Sequence, residues 1–198
     1  MKKKIINVLS NKLESKIINF CLKYTTLNNA KIISKIIVRA EKMEILTHGL
    51  HYFLHSVVPH LKNGMTEHHV ITKENFLYSH GKNGGGLGLL NIFNCLKKAS
   101  KIAKKKGICV YSAKNPGKVG AFRTYCPEII NNDQLIFMVK NTAPTQGIKQ
   151  IKKAIIGTNP LAIGIPGTNF IYDSSTSTVA TNAIRLKEKY NEKFNKIV

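Results

Sequence analysis

Apolar residues recur at helical spacing over the first third of the chain and gather into short unbroken runs later. That change of period predicts a helical start followed by sheet. Over residues 10–25, SNKLESKIINFCLKYT, Leu13, Ile17 and Phe20 share one helix face behind a Ser/Asn cap. A second helix is expected from Asn28 or Asn29, carrying Ile32, Ile33, Ile36, Ile37 and Ala40, with a third segment ended by Pro59 and Gly64. Residues 68–80, HHVITKENFLYSH, alternate in part and read as a strand or hairpin. After GKNGGGLG, the stripe Leu89, Phe93, Leu96, Ala99, Ile102 and Ala103 predicts a long helix, its lysines crowded toward Gly107. ICVYSA (108–113) and LIFMVKN (135–141) have the β-branched and aromatic content of buried strands.

Two further apolar runs, Leu161 to Ile165 and Phe170 to Tyr172, are bounded by Gly and Pro and predict two buried strands joined by a turn. Gly157, Thr158, Asn159 and Pro160 open the first run, and Asp173, Ser174 and Ser175 close the second. Chemistry here would be displayed at strand termini, where α/β ligand sites usually lie. Residues 177–195, with Val179, Ala183 and Leu186, predict a closing helix with a basic tail. The expected organisation is a helical N-terminal segment over 1–65 and a sheet-containing part over 66–198, in a mixed α/β (α+β) chain.

A chain of 198 residues, 43% hydrophobic, can bury one core. Thirty-one Lys plus Arg against ten Asp plus Glu give a formal charge of +21. The cations are nearly all Lys, with Arg only at Arg39, Arg123 and Arg185, and they lie along helix faces. Nucleic-acid readout favours Arg and interleaved aromatics, so the charge predicts salt-sensitive sticking to polyanions and no specific nucleic-acid partner. Cys21, Cys95, Cys109 and Cys126 are scattered with no C-x-x-C pair, which suits free thiols in a reducing compartment. The start, MKKKIINVLSNKLE, has too short an apolar run for a signal peptide, and no later run approaches a membrane span. A cytoplasmic location is the expectation.

His48, His51 and His55 stand at spacings that share a helix face, as zinc ligands could. No Glu separates His51 from His55 and no Cys or Asp lies nearby, so the metalloprotease pattern is absent and no metal site is expected. GKNGGGLG lacks Walker A order, because Lys82 precedes the glycines, and reads as a flexible turn.

The run Gly157-Thr158-Asn159-Pro160-Leu161-Ala162-Ile163, followed by Pro166 and Asp173, resembles the central block of the malate/L-lactate dehydrogenase family, NAD(P)-dependent 2-oxoacid reductases unrelated to the Rossmann dehydrogenases. The resemblance extends over roughly residues 28–190 and implies a non-Rossmann NAD(P)-binding mixed sheet with flanking helices behind a helical cap. Thr47-His48-Gly49 resembles the family's Ser-His-Gly signature, which implies an acid/base or substrate-contacting role for His48. Such a role suits ketone reduction, where the developing alkoxide needs a proton and imidazole titrates near neutrality.

Tyr52 stands where the family has an Arg that grips the substrate carboxylate, and a phenol donates only one neutral hydrogen bond. The resemblance therefore implies either weaker substrate binding or a changed purpose. In ICVYSAKNPGKVGAF, Asn115 and Gly120 match the family and imply a substrate contact at Asn115, while Lys118 falls on its second active-site His. A lysine can replace that acid/base only if desolvation or nearby charge tunes it. Asn141, Thr142 and Asp173, Ser174 and Ser175 fall on cofactor-contacting segments for NAD or NADP, although Lys140 replaces a Thr. Beyond Pro144 the family's Pro-Trp-Gly-Gly turn is replaced by IKQIKK.

Nothing in the 198 residues corresponds to the family's C-terminal segment, whose loss would leave a nicotinamide pocket open on one side. The resemblance thus implies a homodimeric 2-oxoacid/2-hydroxyacid oxidoreductase. The departures imply, as a second expectation, an inactive relic acting as a non-enzymatic partner.

Overall fold

A computed structural model describes residues 7–64, 68–82, 86–147 and 153–177. The chain divides into two compact units, Met1–Gly120 and Ala121–Val198. The helix expected over 177–195 lies outside the described residues from 178 onward.

The first unit is built around helix α2 (Leu27–Lys42), which packs on α1 (Ser10–Cys21) and α5 (Leu89–Lys106). Its Ile33, Ile36 and Ile37 are almost fully buried. Each such side chain contributes about 1.5–3 kcal/mol on leaving water. Ser34, on the same buried face, donates to the Glu14 carbonyl of α1 at 3.0 Å, so the polar group is satisfied while it fixes the helix pair. Thr26 caps α2, accepting from the Asn29 N–H, so the helix starts slightly ahead of the expected Asn28 or Asn29. The Ser/Asn cap expected at α1 is not formed: Ser10 is already helical, and Leu9 at the boundary offers no side-chain acceptor.

The third helical segment also differs from expectation. Helix α3 (Leu50–Tyr52) continues through a π-helical stretch, Phe53–Val57, into α4 (Val58–Lys62). Pro59 therefore sits inside the run. The widened i→i+5 turn immediately before it relieves the clash a proline ring makes with the preceding helical turn, and the segment ends only before Gly64, at φ 88°.

Strands β1 (His68–Lys73) and β2 (Phe76–Gly81) form the expected hairpin, and α5 carries the chain to β3 (Val110–Lys114), parallel to β2. The sheet order is β1-β2-β3. Only β2 is buried, through Leu77 and Ser79. The burial expected of residues 108–113 is not found, since Ile108 and Val110 are exposed on an edge strand. Helix α5 follows the sequence pattern closely, with Leu89, Phe93, Leu96 and Ala99 buried, lysines in its last turn, and Gly107 at φ 82° ending it.

The second unit opens with a 3-10 turn (Phe122–Thr124) and α6 (Pro127–Ile130). An antiparallel sheet follows in the order β4-β5-β6: β4 (Ile136–Val139), β5 (Leu161–Gly164) and β6 (Ile171–Ser174). One face of this sheet is packed, with Ile136, Ala162 and Gly164 buried. Gly164 passes so close to Cys126, Ile130 and Ile136 that a side chain there would press on all three. The other face carries Phe137, Val139 and Tyr172 in the open, so the runs expected as wholly buried strands are buried on one side only. Antiparallel sheets tolerate such asymmetry, and composition alone does not reveal it. Among the described residues, no helix is long and apolar enough to cross a membrane.

Candidate active site

Two groups of the sequence-selected residues form, one in each unit. In the first unit, the segment ahead of α3 is held by Glu41. Its carboxylate accepts from the Leu50 N–H, and a side chain at Gly49 would strike it. This fixes the backbone just after His48, whose Nδ1 lies 2.9 Å from Thr47 Oγ1. The His48 ring stands 5.8 Å, centroid to centroid, from the ring of Tyr52, one helical turn on.

Burial, reinforced by the charge of His51, pushes His48 down to about 4, so the imidazole is neutral at physiological pH. Tyr52 is only 4% exposed, and burial drives its phenol well above the usual value. The Gly120 backbone lies near enough to oppose that shift. Even so, no group among the described residues makes a hydrogen bond of good geometry to the hydroxyl. His51 and His55 lie 4.6 Å apart ring to ring. Among the described residues, no group of three or more His, Cys, Asp or Glu side chains could hold a metal ion.

Lys118 joins this region through its backbone. Its N–H donates to the Gly86 carbonyl at 2.7 Å and its carbonyl accepts from the Leu89 N–H at 3.0 Å, which latches the 115–120 loop onto the start of α5. The lysine side chain is exposed. Asn115, at φ 48°, is exposed too, with its amide 3.5 Å from His80 Nε2. His48, Tyr52 and Gly120 are therefore brought together, while Asn115 faces the strand-end His80.

In the second unit, Thr142 is knitted to the turn before β5. Its N–H donates to Asn159 Oδ1 at 3.0 Å, its hydroxyl lies 3.2 Å from Thr158 Oγ1, and the Asn159 N–H donates to that hydroxyl at 3.3 Å. A side chain at Gly157 would collide with the Thr142 carbonyl and hydroxyl, so glycine is what lets the two segments meet. Thr158 and Asn159 thus belong with the selected residues, although the sequence marked them only as part of the strand-opening run that carries the family resemblance and not as partners of Thr142.

Asp173 Oδ2 accepts from the Arg123 N–H at 2.7 Å. Its pKa is raised by burial, against the lowering influence of that N–H and of the Arg123 guanidinium. Ser174 bonds locally to the Ser175 carbonyl, Ser175 lies 2.9 Å from Ser177 Oγ, and Asn141 is exposed. Hydroxyls, an amide and a carboxylate at adjacent strand ends are the donors and acceptors that ribose hydroxyls and a carboxamide require, so the residues present suit a nicotinamide nucleotide.

Residues 11–197 match the model of the malate/L-lactate dehydrogenase family, and the chain belongs to that family. It is 26% identical over 172 residues to a malate dehydrogenase of Pyrococcus abyssi, an alignment covering 83% of this chain and 46% of that one. It is 28% identical over 170 residues to a malate/(S)-sulfolactate dehydrogenase of Methanothermus fervidus, covering 83% and 50%. In fold it resembles the crystal structure of malate dehydrogenase from Entamoeba histolytica, with a TM-score of 0.86 at 23% identity, over 98% of this chain and 55% of that one. The chain spans about half the length of the relatives it matches.

Proposed function

We propose that this chain is the part of a 2-hydroxyacid oxidoreductase that presents the proton-transfer group and part of the NAD or NADP site, acting on a small 2-oxoacid/2-hydroxyacid pair as a cytoplasmic homodimer. The observation that carries this reading is a buried, neutral His48 oriented by Thr47 beside Tyr52 in a family of dehydrogenases.

In the tautomer whose Nδ1–H donates to Thr47 Oγ1, the lone pair of Nε2 would take the hydroxyl proton of a 2-hydroxyacid, and in the reverse direction the imidazolium would return it to the alkoxide. The nicotinamide, when bound, accepts or supplies the hydride at C2. Asn141, Thr142, Asp173, Ser174 and Ser175 would hold that cofactor, with Thr158 and Asn159 positioning Thr142. Asn115 would contact substrate from the latched loop. Lys118 would act by holding that loop and by placing positive charge at its surface, since a lysine poised for acid–base work is ordinarily withdrawn from water.

The test is titration with NADH and NADPH, following nicotinamide fluorescence and thermal stability together. Saturable micromolar binding that weakens tenfold or more in Thr142→Ala supports the reading. A folded protein that binds neither nucleotide at millimolar concentration retires it and leaves a family scaffold without oxidoreductase chemistry. Sedimentation at several protein concentrations tests the homodimer.

A further inference from the structure

The sheet of the first unit has two unlike faces. On its central strand β2, Leu77 and Ser79 are fully buried on the side of α5. Ser79 Oγ lies 2.8 Å from Tyr111 Oη of β3, and the Asn91 amide of α5 donates to both oxygens, at 3.0 and 3.1 Å. That network holds β2, β3 and α5 in one arrangement. Side chains alternate along a strand, so Phe76, Tyr78 and His80 stand on the opposite face, in one column with a spacing of about 6.5 Å. Phe76 is 41% exposed, and Tyr78 and His80 are partly exposed. The register sets a lysine beside each end of the column: Lys73 of β1 pairs with Phe76, and Lys114 of β3 pairs with His80. Both lysines are exposed. No acidic residue lies in any of the three strands, and Glu74 sits in the turn between β1 and β2.

We propose that this face is a platform for single-stranded nucleic acid, whose bases stack on the column of Phe76, Tyr78 and His80 and whose phosphates meet Lys73 and Lys114. Aromatic side chains on the central strand of an open sheet suit unpaired bases, because every base has a flat apolar face. A duplex keeps its bases paired inside and offers the rings nothing to stack on. An acidic protein segment would meet the lysines and leave the rings in water. The chain's charge of +21 draws any polyanion to its surface, but only a polyanion that carries exposed bases uses both the rings and the lysines. Stacking tolerates every base, and no arginine lies in the three strands, so this surface reads no sequence. The linear order of residues hides the pattern, since the parallel pairing of β2 with β3 is what brings Lys114 to the ring column. None of Phe76, Tyr78, Lys73 and Lys114 serves the hydride-transfer reading, so the two can fail independently.

Base stacking is separated from charge by fluorescence anisotropy on the full chain, using a labelled oligothymidylate of about fifteen nucleotides, a duplex of the same length, and inorganic polyphosphate as competitor. Phe76→Leu and Tyr78→Leu keep apolar volume and remove the ring faces, with circular dichroism to check that the fold is retained. His80 is left intact because the Asn115 amide lies 3.5 Å from its Nε2. The expected result is that wild type binds the single strand about tenfold tighter than the duplex, and that the double leucine variant weakens the single strand about tenfold while the polyphosphate constant stays where it was. Lys73→Gln combined with Lys114→Gln should weaken single strand and polyphosphate alike and flatten the dependence of binding on salt. A leucine variant that holds the single strand as wild type does, or a duplex bound as tightly as the single strand, overturns the inference and leaves adhesion by charge alone. Leucine variants that change the sedimentation of the protein by itself, with the oligonucleotide constant unchanged, overturn it as well and give this face to a second copy of the chain.

Discussion

The Arg123 N–H donates to Asp173 Oδ2 at 2.7 Å, joining the 3-10 turn that opens the second unit to the last strand of its sheet, fifty residues later in the chain. The carboxylate does this while partly buried, and its pKa is raised. A raised carboxyl pKa means that the stability contributed by Asp173 is fullest below its unfolded value and declines as pH rises through the folded one. Asp173→Asn keeps an acceptor for the N–H and removes the charge. Thermal denaturation from pH 4 to pH 7 should show the Asn variant gaining on wild type as pH increases. Asp173→Ala, which abandons the N–H, should lose about 1–2 kcal/mol throughout. A wild type that gains on the Asn variant with rising pH would show that the charge stabilises the fold.

His48 makes the opposite use of pH. Its folded pKa, about 4, lies below the 6.5 of an unperturbed imidazole, so the unfolded chain takes up a proton that the folded chain refuses. Its contribution is complete above pH 6.5 and is lost as pH falls toward 4. At one pKa unit per ~1.4 kcal/mol the contribution is at most about 3 kcal/mol, and less where water reaches the ring. Replacing His48 by Gln should flatten the acid limb of a plot of melting temperature against pH between 6.5 and 4. An unchanged acid limb would place the destabilisation in other groups.

The latch between α5 and the 115–120 loop depends on an absence of volume at Gly88. A Cβ there would land on the Pro116 carbonyl oxygen, which is backbone and cannot rotate aside. Gly88 has φ −70°, so alanine would meet no conformational penalty. Gly88→Ala should therefore cost more than about 2 kcal/mol through overpacking alone, against the small gain normally expected when a helix-start glycine becomes alanine. The Leu89 to Lys118 hydrogen bond should open with it, visible as faster amide exchange at Leu89 than elsewhere in α5.

How far the sequence disclosed this arrangement depended on the range of the forces involved. The α2 and α5 stripes were legible because helical burial repeats every turn, and Ile33, Ile37, Leu89 and Phe93 lie where their period put them. The three strands β4, β5 and β6 were legible as strands, but their exposed face was not, since Phe137 and Val139 have the same propensity on either side of a sheet. Pro59 misled because a proline normally closes a helix, and the π turn that accommodates it has no sequence signature. In the candidate site, Thr47-His48-Gly49 could be picked out as a contiguous motif. The meeting of Tyr52 with Gly120 and of Thr142 with Asn159 could not, because each joins segments that no local pattern relates.

That exposed face is itself testable. Phe137, Ile163 and Tyr172 are aligned across the three strands, and Phe137, Val139 and Tyr172 are 58%, 63% and 47% exposed. Side chains so exposed gain little on folding, so the double variant Phe137→Ser, Val139→Thr should leave stability within about 0.5 kcal/mol of wild type. A row of apolar side chains on an antiparallel sheet favours association between sheets, and the variant should therefore bind less hydrophobic dye and remain soluble at higher concentration. Lysines already present would not prevent wild-type association at high salt, where their repulsion is screened, so the contrast between the two proteins should widen as salt is added. A melting temperature lowered by several degrees in the dilute variant would instead mean that Phe137 and Val139 are covered in solution.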